Sequence, residues 1–144
     1  MNEDLPGILR NYIAELRNLD IGTITVLLPE EEIIGNYEGT DLLREYNLAG
    51  FKVIHFPLEN FSTPNSIDVF HNLMEHISAY LKITKVLIHC KTGCGRTAMV
   101  AAGILIRLKH SAPKAITAVH AARPSSRLTV NQIQFLREYQ RYLL

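Results

Sequence analysis

The run Val86-Leu87-Ile88-His89-Cys90-Lys91-Thr92-Gly93-Cys94-Gly95-Arg96-Thr97 decides the reading of this 144-residue chain. Val86, Leu87 and Ile88 form a short, wholly apolar run of the kind expected of a strand covered on both faces. Gly93 and Gly95 mark a tight loop. Thr97 to Leu108 is apolar nearly all round, which predicts a buried helix. In a parallel α/β sheet a loop of this kind lies at the carboxyl ends of the strands, where ligands bind.

Further elements are read outward from this run. Leu5, Ile8, Leu9, Tyr12, Ile13 and Leu16 recur at helical spacing. Thr23 to Leu28 is β-branched and strand-like, and Pro29 ends it before the acidic run Glu30 to Glu32. Asp41 to Asn47 predicts a short helix, Phe51 to Phe56 a strand, and Pro57 to Pro64 a loop. Ser62-Thr63-Pro64 predicts the start of a helix whose apolar face holds Ile67, Phe70, Met74, Ile77 and Leu81. Two helices close the chain, Pro113 to Arg123 and Thr129 to Tyr142, the second opening on a Thr129/Gln132 capping box. This alternation predicts an α/β fold, a mainly parallel central sheet flanked by helices on both faces. No repeat or linker interrupts it, so residues 1–144 are expected to form a single domain.

Composition narrows the class. With 47% hydrophobic and 20% charged residues the chain can bury a core without disulfide staples. A formal charge of +1 argues against a general nucleic-acid binder. The two cysteines share one short segment, unlike a secreted disulfide framework. No stretch approaches the roughly 18 apolar residues of a membrane span. The acidic start MNEDLPGILR is unlike a signal peptide. A soluble, cytoplasmic protein is expected.

The Cys90–Thr97 segment carries the chemistry. Backbone amides of Lys91, Thr92, Gly93, Cys94 and Gly95, curled into a helix N-terminus, form an anion cradle. Such a positive field favours a thiolate over a thiol. Arg96 offers a planar fork for two phosphate oxygens. Cys90 is then placed to attack phosphorus, forming a cysteinyl phosphate that water hydrolyses. Arg96 and the loop amides stabilise the equatorial oxygens. Thr97 can donate to the sulfur and improve it as a leaving group, while His89 bonds nearby backbone and positions the cysteine. His89, Cys90 and Cys94 lack a second pair at zinc spacing, so neither a metal nor a cofactor is expected. Cys94 fits either a loop filler or a redox partner of Cys90, although four residues is an awkward span for that bond. Lys91 either draws in a polyanionic substrate or sits on the surface.

These residues resemble the His-Cys-x5-Arg-Ser/Thr signature of the protein tyrosine and dual-specificity phosphatases. Ala121-Ala122-Arg123-Pro124 and Thr129-Val130-Asn131-Gln132 are similar to the tail of the small atypical dual-specificity phosphatases. Phe56-Pro57-Leu58-Glu59-Asn60-Phe61 resembles the loop that carries their general acid. The likeness runs from Leu5 to the C-terminus, with a shortened N-terminus that lacks the strand or hairpin usual before the first helix. It implies a dual-specificity-phosphatase-like fold and hydrolysis of phosphotyrosine, with phosphoserine and phosphothreonine as further candidates. The substrate would be a phosphoprotein or another phosphoester. The resemblance also implies that Gln132 helps orient the hydrolytic water and that Arg123 braces the loop.

One position departs from that pattern. Asn60 stands where the family places an aspartic acid to protonate the leaving oxygen, and an amide cannot do so. General acid catalysis is worth about 10²–10⁴ in rate. Its loss should slow alkyl phosphates most. Three explanations fit: Glu59 serves as the acid, the substrate is a phosphoanhydride as in RNA 5′-triphosphatases, or position 60 is an altered residue or a natural loss that gives a slow enzyme. The alternative functions are a phospho-ligand binding module without turnover (a pseudophosphatase), an RNA 5′-triphosphatase and a phosphoinositide phosphatase.

Overall fold

A computed structural model describes residues 5–37, 39–91 and 95–144. Helix α1 (Leu5–Asn18) buries Leu9, Ile13 and Leu16, which recur on one face, and the chain then reverses at Asp20 into strand β1 (Ile21–Val26). Helix α2 (Glu30–Asn36) follows Pro29. The acidic run read after the first strand is thus the first turn of a helix. Three carboxylates at its positive end stabilise it, and Ile33 anchors it in the core.

Helix α3 (Leu42–Leu48) is capped by Asp41, whose carboxylate accepts from the Arg44 amide at 3.1 Å. Gly50, at φ 96°, ends it. Its amide donates to the Asn47 carbonyl and that of Phe51 to Tyr46, the paired bonds of a Schellman turn. Strand β2 (Lys52–His55) starts directly from that turn.

Helix α4 (Ile67–Leu81) begins later than Ser62-Thr63-Pro64 suggested, because Ser66 is the residue whose hydroxyl caps it, accepting from Val69 N at 3.1 Å. Strand β3 (Lys85–His89) and helix α5 (Arg96–Arg107) flank the loop of the opening motif. Helices α6 (Ala112–Ala122) and α7 (Val130–Tyr142) complete the fold, and both bonds of the Thr129/Gln132 capping box are present.

The three strands are parallel, in the order β2-β1-β3. Helices α1 and α3 pack against β1 and β2, while α4 and α5 pack on β3. Among the described residues β3 pairs on one side only, so Val86, Leu87 and Ile88 are half-buried. The full burial expected of this run is not reached, and among the described residues the outer edge of β3 is unpaired. Its register is nonetheless fixed. Val26 lies opposite His89, and Leu27 N donates to the His89 carbonyl at 2.9 Å.

The helical layer is closely fitted where it supports the motif. A Cβ on Gly103 would come within 2.4 Å of the Phe70 ring, so α5 touches α4 at a distance only glycine permits. Phe70 in turn meets Phe135 and Tyr139 edge-to-face, with ring centroids 5.0 Å apart, joining α4 to α7. Among the described residues no helix is long and apolar enough to cross a membrane.

Candidate active site

Cys90 follows the last residue of β3 and is 7% exposed. Thr97, in the first turn of α5, donates its hydroxyl hydrogen to Cys90 Sγ at 3.1 Å. The pairing foreseen for these two residues is therefore present.

His89 is held from both sides of its ring. Nδ1 lies 3.3 Å from the Cys90 carbonyl and Nε2 lies 3.1 Å from the Tyr46 hydroxyl. A carbonyl only accepts, so Nδ1 carries the proton, Nε2 accepts, and Tyr46 donates. Burial pushes the His89 pKa down and the Tyr46 pKa up, which keeps both partners neutral in these roles. The backbone position of the cysteine is thus braced through a histidine to a fully buried tyrosine of α3.

Arg96 opens α5 and is 2% exposed. Its Nη1 donates to Glu32 Oε2 at 2.7 Å and to the Leu58 carbonyl at 2.9 Å, and Nη2 donates to Glu32 Oε1 at 3.1 Å. These bonds use both hydrogens of Nη1 and one of Nη2. The remaining Nη2 hydrogen and Nε–H lie parallel along one edge of the guanidinium. Nε is buried without a hydrogen-bond partner among the described residues. A buried charged donor left open is costly unless something fills it. The free edge has the two-donor geometry that suits two oxygens of a phosphate.

Glu32 therefore aims the arginine, and sequence reasoning passed over it. The signal was available, since three acids directly after a strand sit at the ligand-binding end of a parallel sheet. Its pairing with a residue 64 positions later was not legible. Tyr46 was missed in the same way.

The 57–64 loop is tied to the same residues. Leu58 N donates to Leu27 O at 2.9 Å, while its carbonyl holds Arg96. Glu59 O accepts from Ser62 N at 3.1 Å and from Ser62 Oγ at 2.6 Å, closing a turn with Phe61 at φ 64°. Glu59 and Asn60 are both exposed on that turn. Glu59 lines a depression of about 420 Å³ together with Phe56, Thr63 and Val69. Cys90 borders another cavity, of about 280 Å³, with Lys91, Arg123, Tyr12 and Tyr37.

Gln132 is fully buried. Its Oε1 accepts from Thr129 N at 3.0 Å and its Nε2 donates to the Ser62 carbonyl at 3.1 Å, so one N–H remains for any other partner. It also backs onto Gly95, where a Cβ would lie 3.2 Å from Oε1 and 3.1 Å from the Arg127 carbonyl. Lys91 and Arg123 are exposed. Thr92, Gly93 and Cys94 lie outside the described residues.

A cysteine closing a parallel strand, a threonine on its sulfur and a buried arginine opening the next helix form the arrangement expected of a cysteine-based phosphatase. Comparison with known proteins places the chain within that class. Residues 6–110 match the family model described as polymorphic toxin system, DSP-PTPase phosphatase. Curated relatives include cyclin-dependent kinase inhibitor 3 of Rattus norvegicus and of Homo sapiens, each 32% identical over 142 residues and 96% of this chain. The chain spans 66% of the length of those relatives. Among solved structures, kinase associated phosphatase (KAP) with its catalytic-site cysteine replaced by serine superposes with a TM-score of 0.82. It is 30% identical, over 91% of this chain and 75% of that one. Tk-PTP in its active form superposes with a TM-score of 0.76 at 26% identity, over 96% and 84% of the two chains. The chain belongs to the cysteine-based protein tyrosine phosphatase superfamily, as an atypical dual-specificity phosphatase.

Proposed function

We propose that this chain is a phosphomonoesterase that hydrolyses phosphotyrosine, and more slowly phosphoserine and phosphothreonine, through a cysteinyl phosphate on Cys90. The observation that supports it best is the open Nε/Nη2 edge of buried Arg96 in the same motif as a sulfur held by Thr97. The similarity to kinase associated phosphatase favours a phosphoprotein as substrate.

In this reading the Cys90 thiolate attacks phosphorus and the ester oxygen leaves with its bonding electrons. The amides of residues 91–95 and the free edge of Arg96 hold the equatorial oxygens. Water then attacks phosphorus, the P–S bond breaks, and the sulfur leaves as a thiolate stabilised by the Thr97 hydroxyl. A proton from that water passes to solvent or to a base at the 57–64 loop. Gln132 acts in support by holding this loop through Ser62 O rather than by touching phosphate.

Asn60 cannot protonate the leaving oxygen, so a phenolate, which is a weaker base and departs more readily without a proton, is preferred to an alkoxide. Hydrolysis of para-nitrophenyl phosphate that disappears in Cys90→Ser tests the reading, together with 1:1 covalent phosphate on Cys90 after acid quenching. Asn60→Asp is expected to raise kcat on an alkyl phosphate by about 10–10² while changing the aryl rate little. Loss of the alkaline pH limb in Glu59→Gln would assign Glu59 as the acid, and an unchanged profile would exclude it. Asn60 also favours a second reading, a phospho-ligand binding module. Phosphopeptide binding with no phosphate release from any aryl, alkyl, inositol or anhydride phosphate would establish that reading and overturn the first.

A further inference from the structure

The segment from Phe56 to Pro64 does more than hold Arg96. Leu58 O accepts from Arg96 Nη1 at 2.9 Å, and Leu58 also lines the depression of about 420 Å³ beside it. One residue therefore touches both the depression and the guanidinium assigned to phosphate. Phe56, Pro57, Pro64 and Val69 line the depression as well, so much of what it presents is apolar. Glu59 lines it too and is exposed. The Glu59 carbonyl already accepts from Ser62 N at 3.1 Å and from Ser62 Oγ at 2.6 Å, which uses both of its lone pairs. The acceptor that Glu59 offers a ligand is its carboxylate.

The segment is held at several points. Leu58 N donates to Leu27 O at 2.9 Å, His55 Nε2 to Leu28 O at 2.7 Å, and Gln132 Nε2 to Ser62 O at 3.1 Å. A surface fixed in this way binds a ligand with little loss of its own conformational freedom. The positive end of α4 lies at the same place, since Val69 is in its first turn. Ser66 Oγ accepts from the Val69 amide at 3.1 Å and Asp68 stands in that turn, so the field of the helix end is offset there. A carboxylate beside apolar lining fits one kind of side chain. Lysine and arginine lay a methylene stem on apolar surface and keep the cation at its polar edge.

We infer that the depression beside Leu58 is a substrate subsite, in which a lysine or arginine near the phosphorylated residue lays its stem against Phe56, Pro64 and Val69 and sets its cation against the Glu59 carboxylate. This deepens the phosphatase reading and rests on it for turnover, although binding can be measured without turnover. Arg96 holds the phosphate, Glu59 holds the basic side chain, and Leu58 spaces the two. An extended chain advances about 3.3–3.6 Å per residue, which puts the basic residue within about three positions of the phosphosite. The subsite selects phosphoproteins whose phosphosite has a basic neighbour.

The test scans one residue through the three positions on either side of the phosphotyrosine in a peptide, as lysine, norleucine, alanine or glutamate. Norleucine has the stem of lysine without its charge. At one position kcat/KM is expected to rise about threefold from alanine to norleucine, and by about two- to fivefold more from norleucine to lysine, the range that exposed ion pairs give. The second gain should shrink at about 0.5 M salt, where charges are screened, while the first persists. Glu59→Gln should bring the lysine-to-norleucine ratio toward one, Glu59→Asp should keep most of it, and Glu59→Lys should make glutamate the preferred residue. Val69→Lys, which brings a cation to the depression from α4, should also remove the preference for lysine. Each ratio is taken within one variant, so any part of Glu59 in protonating the leaving group cancels. Equal kcat/KM for lysine and norleucine at every position, a lysine preference that survives Glu59→Gln, or a preference of the unsubstituted chain for glutamate would overturn the inference.

Binding of the same peptides to Cys90→Ser, followed by fluorescence anisotropy, separates the subsite from the reading beneath it. Lysine-selective binding with no turnover by the unsubstituted chain would sink the enzymatic reading and leave the subsite standing. Turnover of all the peptides alike, with equal binding, would sink the subsite and leave the enzyme.

Discussion

Replacing Glu32 by glutamine tests the reading of Arg96 most directly. The arginine is 2% exposed and has three side-chain hydrogen bonds among the described residues, of which Glu32 supplies two, at 2.7 and 3.1 Å. Glutamine is nearly isosteric but offers one acceptor, and its amide hydrogens face a guanidinium that can only donate. One charge-assisted bond and the pairing of a buried charge are lost. Such a bond contributes about 1.5–3 kcal/mol, and breaking a buried pair costs about 3–5 kcal/mol. The Glu32 side chain is 28% exposed, so solvent relieves part of this, and about 2–3 kcal/mol is expected. With a urea m-value near 2 kcal/mol/M, the midpoint should fall by about 1–1.5 M.

The catalytic effect has a definite sign. Glu32 binds the Nη1/Nη2 end and Leu58 the far side of Nη1, so phosphate does not compete with either. Loosening the arginine should weaken inorganic phosphate as an inhibitor and lower kcat/KM on an aryl phosphate by about a hundredfold, as misplacement of a binding group does. Urea unfolding, the phosphate inhibition constant and steady-state kinetics measured on one preparation suffice. Tighter phosphate binding in Glu32→Gln would refute the reasoning, because it would mean that the carboxylate occupies the substrate's edge of the guanidinium.

Three other outcomes follow from the geometry. Thr97→Val removes the hydroxyl 3.1 Å from the sulfur and should slow breakdown of the cysteinyl phosphate by about 10–10², visible as a nitrophenolate burst before a slow steady state; an unaltered steady state would remove the hydroxyl from the mechanism. Burial holds His89 below its unfolded pKa, so the neutral ring supports the fold fully above about pH 6.5 and stability declines as pH falls toward the folded pKa, by up to about 1.4 kcal/mol per pH unit. His89→Gln should flatten that slope in urea midpoints taken from pH 5 to 7, and an unchanged slope would assign it to other groups. Lys109 sits at φ 83° after α5, with its amide on Ile106 O and the His110 amide on Leu105 O. Glycine tolerates that conformation better, so Lys109→Gly should add about 0.5–1 kcal/mol, measured by thermal unfolding, and a lower Tm would contradict the strain argument.

Local chemistry made much of this fold readable in advance. The Thr129/Gln132 cap, the stripe at Phe70, Met74 and Ile77, and the helix after Arg96 are all determined by neighbours within a turn, and each stands where periodicity put it. The Thr97–Cys90 contact was legible for the same reason, since one short loop brings both residues together. Long-range pairings were not. The Glu32–Arg96 bond and the Tyr46–His89 bond join segments that meet only once the sheet is assembled. The half-open state of β3 was hidden as well. An apolar triplet such as Val86-Leu87-Ile88 reads the same whether or not a strand lies beside it.

The buried amide of Gln132 joins three segments: the start of α7, the carbonyl of Ser62 and the back of Gly95. The C-terminal helix thereby ties the 57–64 loop to the residue that opens α5. A shift of that helix by a fraction of an ångström would carry Ser62 and Gly95 with it, so the two segments are coupled from the rear of the molecule.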